Sequence, residues 1–350
     1  MSNFINALQN PEKFAKAILW RSEELICNIR NREKKICGGV EFPDKKFYIA
    51  GFDCGWNGLA WIILHIIEHI EYAENKNYIP IIDLQNFKNQ YISDENISKE
   101  NLWGFWFEQT AEYNPQSILK SKNIIRSKNM PFPDKKNKIE YSDLNNKEKI
   151  AKLRAVFQKY IKMNSETKKQ ISEIQEKICG NRKVLGIMCR GTDFSTLAPS
   201  EHPIQPNPQE IIEEAENIMA KYNCSHIFLS TEDTDIYNLF HQKFGSALLS
   251  IPQKRFSKTD ISKEKSLSDL SDAENRKNIA FSYLASMYIL SKCPCFISGI
   301  TGGSLLVKIM SNGFEYEHFW DLGLYPQKNE PLSEIWQSFY LELTGKKLRK

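Results

Sequence analysis

Arg190 follows the apolar run Val184-Leu185-Gly186-Ile187-Met188 and precedes Gly191, Thr192 and Asp193. The run predicts a buried strand that ends in a fixed cation, a glycine, a small hydroxyl and a carboxylate. A guanidinium is a fork for phosphate oxygens that keeps its charge at neutral pH. Open α/β sheets bind ligands at the carboxyl ends of their strands. The stretch therefore predicts a docking place for a phosphorylated ligand, with Arg190 as its anchor.

Two later loops have the same placement. Ser230-Thr231-Glu232-Asp233-Thr234-Asp235 follows the strand-like stretch His226–Leu229, and Ser298-Gly299-Ile300-Thr301-Gly302-Gly303-Ser304 lies between a strand and a helix. The second of these puts bare backbone N–H groups and a hydroxyl at a helix start, which suits anions. With Arg190 it predicts a diphosphate clamp, while Asp233 suits the donor groups of a base or ribose. A strand-end arginine also serves as a plain structural ion pair. Three such loops in order, each on a strand's carboxyl end, carry the ligand reading.

The elements that must position these loops alternate along the chain. A helix is predicted near Pro11–Arg30, a strand at Lys46–Gly51, a turn at Asp53-Cys54-Gly55-Trp56-Asn57-Gly58, a helix at Leu59–Tyr72 and a strand at Ile79–Leu84. Asn101–Gln109 is dense in Trp and Phe and reads as core or interface. Asn146–Ile178 reads as one long helical region ended by Gly180. The second half continues with helix Pro208–Tyr222, strand His226–Ser230, helix Thr234–Phe244, strand Ala247–Ile251, a charged loop Lys254–Arg276, helix Asn278–Ser291, strand Cys295–Ser298 and helix Ser304–Met310. Strictly alternating strands and helices predict parallel sheets, in two halves facing across a cleft.

At 350 residues the chain exceeds what one core usually supports, so two domains are expected, and 41% hydrophobic and 12% aromatic residues suffice for globular cores. No run approaches the roughly 18 apolar residues of a membrane span. The start lacks the layout of a secretory signal, so a cytoplasmic location is expected. The net charge of +4 demands no nucleic-acid partner. The eight cysteines include no C-x-x-C pair and read as reduced thiols. Cys293-Pro294-Cys295 could hold a soft metal, but reads as buried thiols.

Two motifs point to other chemistry. Asp233-Thr234-Asp235 spells D-x-D, a metal–nucleotide signature, although Asp235 stands where a helix cap belongs. His65-Ile66-Ile67-Glu68-His69 spells H-x-x-E-H, an inverted zinc-peptidase motif whose two histidines share one helix face. Its Ile-rich surroundings also suit a packed core pair.

The second half resembles the catalytic domain of the fucosyltransferase superfamily, which includes the alpha-1,6-fucosyltransferases and the protein O-fucosyltransferases. The family's His-x-Arg-x-x-Asp motif is matched by Met188-Cys189-Arg190-Gly191-Thr192-Asp193, with Met188 in the place of His. The His-Pro pair of the alpha-1,6 branch is matched by His202-Pro203, with Ala198 where those relatives carry a Glu. Leu229-Ser230-Thr231-Glu232-Asp233 resembles the family's acidic loop, and Thr301-Gly302-Gly303-Ser304-Leu305-Leu306-Val307 its Ser-rich turn. In the first half, Gly55-Trp56-Asn57-Gly58 is a partial match to the Gly-x-Gly-Asn-Gln-like turn, and Asn101–Glu108 resembles the Trp-and-Phe-Glu segment.

The resemblance implies a GT-B-type α/β fold with two Rossmann-like lobes: residues 1–180 on the acceptor side, 181–325 binding a GDP-sugar, and a helix at 326–350 packing back on the first lobe. It implies an inverting, metal-independent glycosyltransferase that moves fucose or a related sugar from a GDP-sugar to a glycan, with no cofactor beyond that substrate. Arg190 would bind the β-phosphate, and Asp193 would orient it or contact the sugar. Asp233 would face the guanine with Thr231 nearby, and His202 would line the donor pocket. Gly302, Gly303 and Ser304 would hold phosphate oxygens, and Asn57 and Gly58 would close the cleft. Glu201 and Asp193 are the candidate bases, by proximity. The Lys346-Lys347-Leu348-Arg349-Lys350 tail suits peripheral contact with anionic lipid. A zinc peptidase through His65, Glu68 and His69, and a sugar-nucleotide-binding module without catalysis, are the alternatives.

Overall fold

Nine strands among the described residues pair into two sheets. The computed structural model describes Ser22, Asp260 and residues 33–113, 115–134, 137–191, 198–257 and 272–326. The expected helix at Pro11–Arg30 and the tail helix and basic end at 326–350 fall outside these residues almost entirely.

The first sheet contains β1 (Lys34–Ile36), β2 (Phe47–Ala50), β3 (Ile79–Ile82) and β4 (Ile124–Arg126), in the order β1-β4-β2-β3. β2 runs parallel to both β3 and β4, whereas β1 lies antiparallel on the β4 edge. That edge departs from the all-parallel expectation. Lys34 and Lys35 are exposed, so this strand carries no buried apolar run for a sequence reading to find.

Between β2 and β3 runs α1 (Leu59–Asn75). Nearly every side chain from Leu59 to Ala73 is buried, including His65, Glu68 and His69. A helix apolar on all sides is covered on all sides. α1 packs on its own sheet and also on helices of the second half.

The predicted helical region 146–178 is two helices, α2 (Lys147–Tyr160) and α3 (Ser165–Ile178). Asn146 caps the first through Lys149 N and Asn164 caps the second through Thr167 N. Asn164 competes for backbone N–H groups better than a helix interior tolerates, so the ladder restarts there. Gly180, with φ +51°, closes α3 as expected.

The second sheet contains β5 (Val184–Met188), β6 (His226–Ser230), β7 (Leu248–Leu249), β8 (Cys295–Gly299) and β9 (Tyr316–Trp320), all parallel, in the order β7-β6-β5-β8-β9. Helices α4 (Pro208–Tyr222), α5 (Thr234–Phe244), α6 (Ala273–Lys292) and α7 (Gly302–Met310) cover its faces. All five residues of β5 are buried, as a central parallel strand requires. At Gly186 a Cβ would stand 3.0 Å from Leu290 and 3.2 Å from Cys293, so the missing side chain lets α6 lie close to the sheet.

From β5 the chain steps outward through β6 to β7, then crosses back to β8 and on to β9. The reversal falls between β5 and β8, and such switch points open a crevice at the carboxyl ends of the strands. β2 holds the same position in its sheet, with β3 on one side and β4 on the other.

Glu33–Tyr325 form one compact unit. Tyr48, Ala50 and Ile67 from the first half share a continuous apolar cluster with Met188, Phe228, Phe296 and Leu306 from the second. Arg154 Nη2 donates to Lys308 O at 3.1 Å, a further tie between the halves. Among the described residues no helix is long and apolar enough to cross a membrane.

Candidate active site at the ends of β5, β6 and β8

Arg190 stands just past β5, at the switch point. Cys189 N donates to Ser230 O at 3.1 Å, holding the β5 and β6 ends together. The Arg190 side chain is 27% exposed, and its Nε lies 3.3 Å from Glu232 Oε1. The same oxygen accepts the Gly191 N–H at 3.2 Å. Burial pushes the Tyr283 phenol up to about 12, with Arg190 opposing the shift and Glu232 adding to it. Burial also raises the Tyr141 phenol, again against Arg190. The guanidinium thus sits within electrostatic reach of a tyrosine from each half.

The α7 start has two uses for its polar groups. Thr301 Oγ1 accepts the Ser304 N–H at 3.0 Å, and Ser304 Oγ accepts the Thr301 N–H at 2.8 Å, a capping box. Ser304 Oγ also donates to Thr301 O, and the residue is fully buried. Ser304 therefore braces the loop from behind, in place of the phosphate contact expected from the sequence. The Gly302 and Gly303 N–H groups, in the first helical turn, are the donors an anion would meet. Gly303 leaves room for two side chains here, since a Cβ would lie 2.2 Å from the Tyr283 hydroxyl oxygen and 3.1 Å from Met188 Sδ. Thr301 Oγ1 also reaches Met188 Sδ at 3.5 Å, a weak bond to the residue that replaces the motif histidine. Tyr283 thus backs the α7 start.

The β6 loop supports this arrangement from behind. Asp233 is fully buried, and its Oδ1 accepts from Asp235 N at 2.8 Å and Ile236 N at 3.0 Å. Asp233, and not Asp235, is the α5 cap. A base contact through Asp233 is not what this geometry offers, because its carboxylate is committed to the helix. Thr231 is also buried; its Oγ1 accepts the Asp233 N–H and its carbonyl accepts from Gln253 Nε2. Gly191 packs on Asp233, where a Cβ would come 2.4 Å from Oδ2.

The stretch 198–206 runs beside the β8 end. Gln205 Nε2 donates to Ile300 O at 3.0 Å, and Gln205 and Pro206 pack on Gly299. His202 is half-buried with Nδ1 3.0 Å from Ser200 O, and Pro203 bridges to Leu324. Glu201 is exposed at φ +62°, with its N–H on Tyr325 O. Asp193 lies outside the described residues.

From the first half, the loop after β2 meets α6, where the Arg276 guanidinium lies 5.2 Å from the Trp56 ring centroid. Asn57 is exposed and bonds Cys54 O through Nδ2, and Gly58 opens onto free space. The Tyr91 hydroxyl lies 3.5 Å from Asn57 O. Burial raises the Tyr91 phenol, and Tyr283 is among the charges acting on it. Gly303 thus packs against Tyr283 and Met188, while Asn57 and Gly58 belong to the loop that reaches Arg276 of α6.

Comparison with known proteins gives likeness of form only. No family profile matches the chain, and no curated protein does. A crystal structure of the NodZ alpha-1,6-fucosyltransferase soaked with GDP-fucose is 14% identical, over 76% of this chain and 93% of that one, with a TM-score of 0.46. Selenomethionine NodZ from Bradyrhizobium is 13% identical over 81% and 97%, with a TM-score of 0.47. POFUT1 in complex with GDP is 10% identical over 79% and 99%, with a TM-score of 0.42. At this level of likeness, chemistry rests on the chain's own side chains.

The competing motifs are engaged elsewhere. His65 Nδ1 pairs with Glu68 Oε2 at 2.6 Å, and Glu68 Oε1 accepts the Ile139 N–H. His69 contacts the Tyr48 hydroxyl with Nδ1 at 2.9 Å and Met130 O with Nε2 at 3.2 Å. Burial lowers the His69 pKa to about 3. The H-x-x-E-H motif is thus a buried polar network tying α1 to β2 and to the 130–139 segment. Among the described residues no group of three His, Cys, Asp or Glu is placed to hold a metal ion. The described cysteines are free thiols, all buried except Cys37.

Glu232 and Tyr283 were not singled out by type or spacing. Glu232 was visible in the acidic loop, where a carboxylate one strand away from Arg190 is a natural partner. Tyr283 sits mid-helix among apolar residues and carried no signal.

Proposed function

We propose that this chain is a glycosyltransferase that moves fucose or a related sugar from a GDP-sugar to a hydroxyl of a glycan. One observation supports the reading: Arg190 follows β5 at the β5–β8 switch point, two residues after Met188, whose Sδ lies 3.5 Å from Thr301 Oγ1 at the glycine-lined start of α7. A nucleoside diphosphate leaving a sugar carbon gathers negative charge on its β-phosphate. Arg190 neutralises that charge, and the Gly302 and Gly303 N–H groups donate hydrogen bonds to the phosphate oxygens that carry it. Donors fixed in advance are often the largest catalytic contribution.

In the transfer step the acceptor oxygen bonds the anomeric carbon as the bond from that carbon to the β-phosphate oxygen breaks. The electron pair leaves with GDP, and a carboxylate takes the acceptor's proton. Attack from the face opposite GDP inverts the centre. Asp193 and Glu201 are the carboxylates proposed for the proton. Arg190 supplies the counter-charge, so the step needs no metal.

The test is a thermal-shift screen with GDP, UDP, ADP and CMP, followed by GDP release from GDP-fucose with and without added glycans. Stabilisation by GDP above the other nucleotides supports the reading, and indifference to all four ends it. Selective GDP binding with no turnover would leave a binding module, the reading favoured by Met188 and Ala198 at the two departures from the family motif.

A further inference from the structure

We infer that Trp56 is the stacking platform for a pyranose ring of the acceptor glycan. The inference rests on the transferase reading for the word acceptor, while the stacking itself stands on local geometry.

Trp56 is 63% exposed, in a loop where most neighbours of its size are buried. An indole left in water is informative when it is also held in place. Trp56 is held on two sides. Its carbonyl accepts from Gln90 Nε2 at 2.9 Å, and the same nitrogen bonds Asn57 O at 2.9 Å. The Arg276 guanidinium covers one ring face at 5.2 Å from the centroid, and Arg276 Nε donates to Gln90 O at 2.6 Å. Gln90 thus fastens both the loop and the cation that backs the ring. On either side, nothing lies within 4 Å of where a Cβ of Gly55 or Gly58 would stand, so the space beside the loop is open.

A fixed, open aromatic face bordered by amide and guanidinium groups matches one ligand chemistry. A pyranose presents an apolar C–H face to stack and a rim of hydroxyls to bond. The exposed Asn57 beside the ring supplies part of that rim. The loop also has the right address. It follows β2 in the first half, and its tie to the second half runs through Gln90 and Arg276 of α6. On the transferase reading the first half takes the acceptor, and Trp56 is the exposed aromatic on its β2 loop.

The experiment uses the full-length protein on an array of pyranosyl di- to tetrasaccharides, with GDP titrated calorimetrically in parallel. Trp56→Ala and Trp56→Gln are expected to lower glycan retention by about tenfold or more, and Trp56→Phe to stay within about threefold of wild type. GDP affinity is expected to be unchanged in all three. Equal retention by Trp56→Ala, no retention by wild type, or a loss of GDP affinity in Trp56→Ala overturns the inference; the last would place the indole on the donor. Trp56-dependent retention by a protein that ignores GDP would uphold the platform and remove the GDP-sugar reading.

Discussion

One oxygen of Glu232 serves both Arg190, 3.3 Å from its Nε, and the Gly191 N–H, at 3.2 Å. The strand-end cation is thus aimed by a carboxylate from the neighbouring strand's loop. On the transferase reading, an incoming diphosphate would share the guanidinium with Glu232 without displacing it, because a guanidinium has five N–H donors.

Arg190→Ala is expected to cut GDP-sugar turnover by about 10²-fold or more, the scale for losing one preorganised donor to a developing anion. Arg190→Lys keeps the charge but loses the fork, and is expected to fall between Ala and wild type. Rates of GDP release from the donor decide it. An Ala variant within tenfold of wild type, roughly 1.4 kcal/mol, would remove Arg190 as anchor.

Glu232→Gln preserves an acceptor for Gly191 and removes a competing negative charge. GDP is expected to bind about two- to fivefold more tightly, the scale of a partly exposed ion pair, and with a steeper salt dependence. Calorimetric titration at two ionic strengths reads both. Weaker binding would mean that the aim Glu232 gives outweighs the charge it withholds.

Gly303→Ala drives a methyl group into the Tyr283 hydroxyl and is expected to destabilise the fold by about 1–3 kcal/mol. Tyr283→Phe removes the atom that clashes. The double variant is expected to recover much of the loss, and the unfolding free energies of the four proteins give the coupling. Additive effects would show that Gly303 and Tyr283 do not meet.

His69 links stability to acid. Its pKa near 3 lies below the ordinary histidine value near 6.5. Between those values the unfolded chain binds a proton that the folded one refuses. This contribution to stability is complete above about pH 6.5 and falls as the pH drops towards 3, by at most about 1.4 kcal/mol per pH unit. His69→Gln is expected to flatten that slope in urea unfolding between pH 7 and 5. An unchanged slope would assign the acid sensitivity to other groups.

Much of the second sheet is readable from residue order alone. Val184–Met188, His226–Ser230 and Cys295–Gly299 are apolar runs followed by turn formers, and such runs have few uses besides central parallel strands. The helix Pro208–Tyr222 announces itself through Asn207 and Pro208. The edge strands β1 and β9 escape because half-exposed strands lack that signature, and the Asn164 restart hides inside a continuous helical pattern. Arg190 was legible because a charge that ends a buried run is costly unless it has work to do. Asp233 and Ser304 mislead for one shared reason: polar side chains at a helix start look alike whether they face a ligand or their own backbone. Only burial separates the two cases.

Among the described residues one apolar cluster passes from Tyr48 through α1 to Phe296 and joins the two halves. A clamshell enzyme opens by sliding small, wet surfaces, whereas prising these sheets apart would expose interior side chains to water. On the transferase reading, substrates then enter and leave without a rigid-body opening of the two halves.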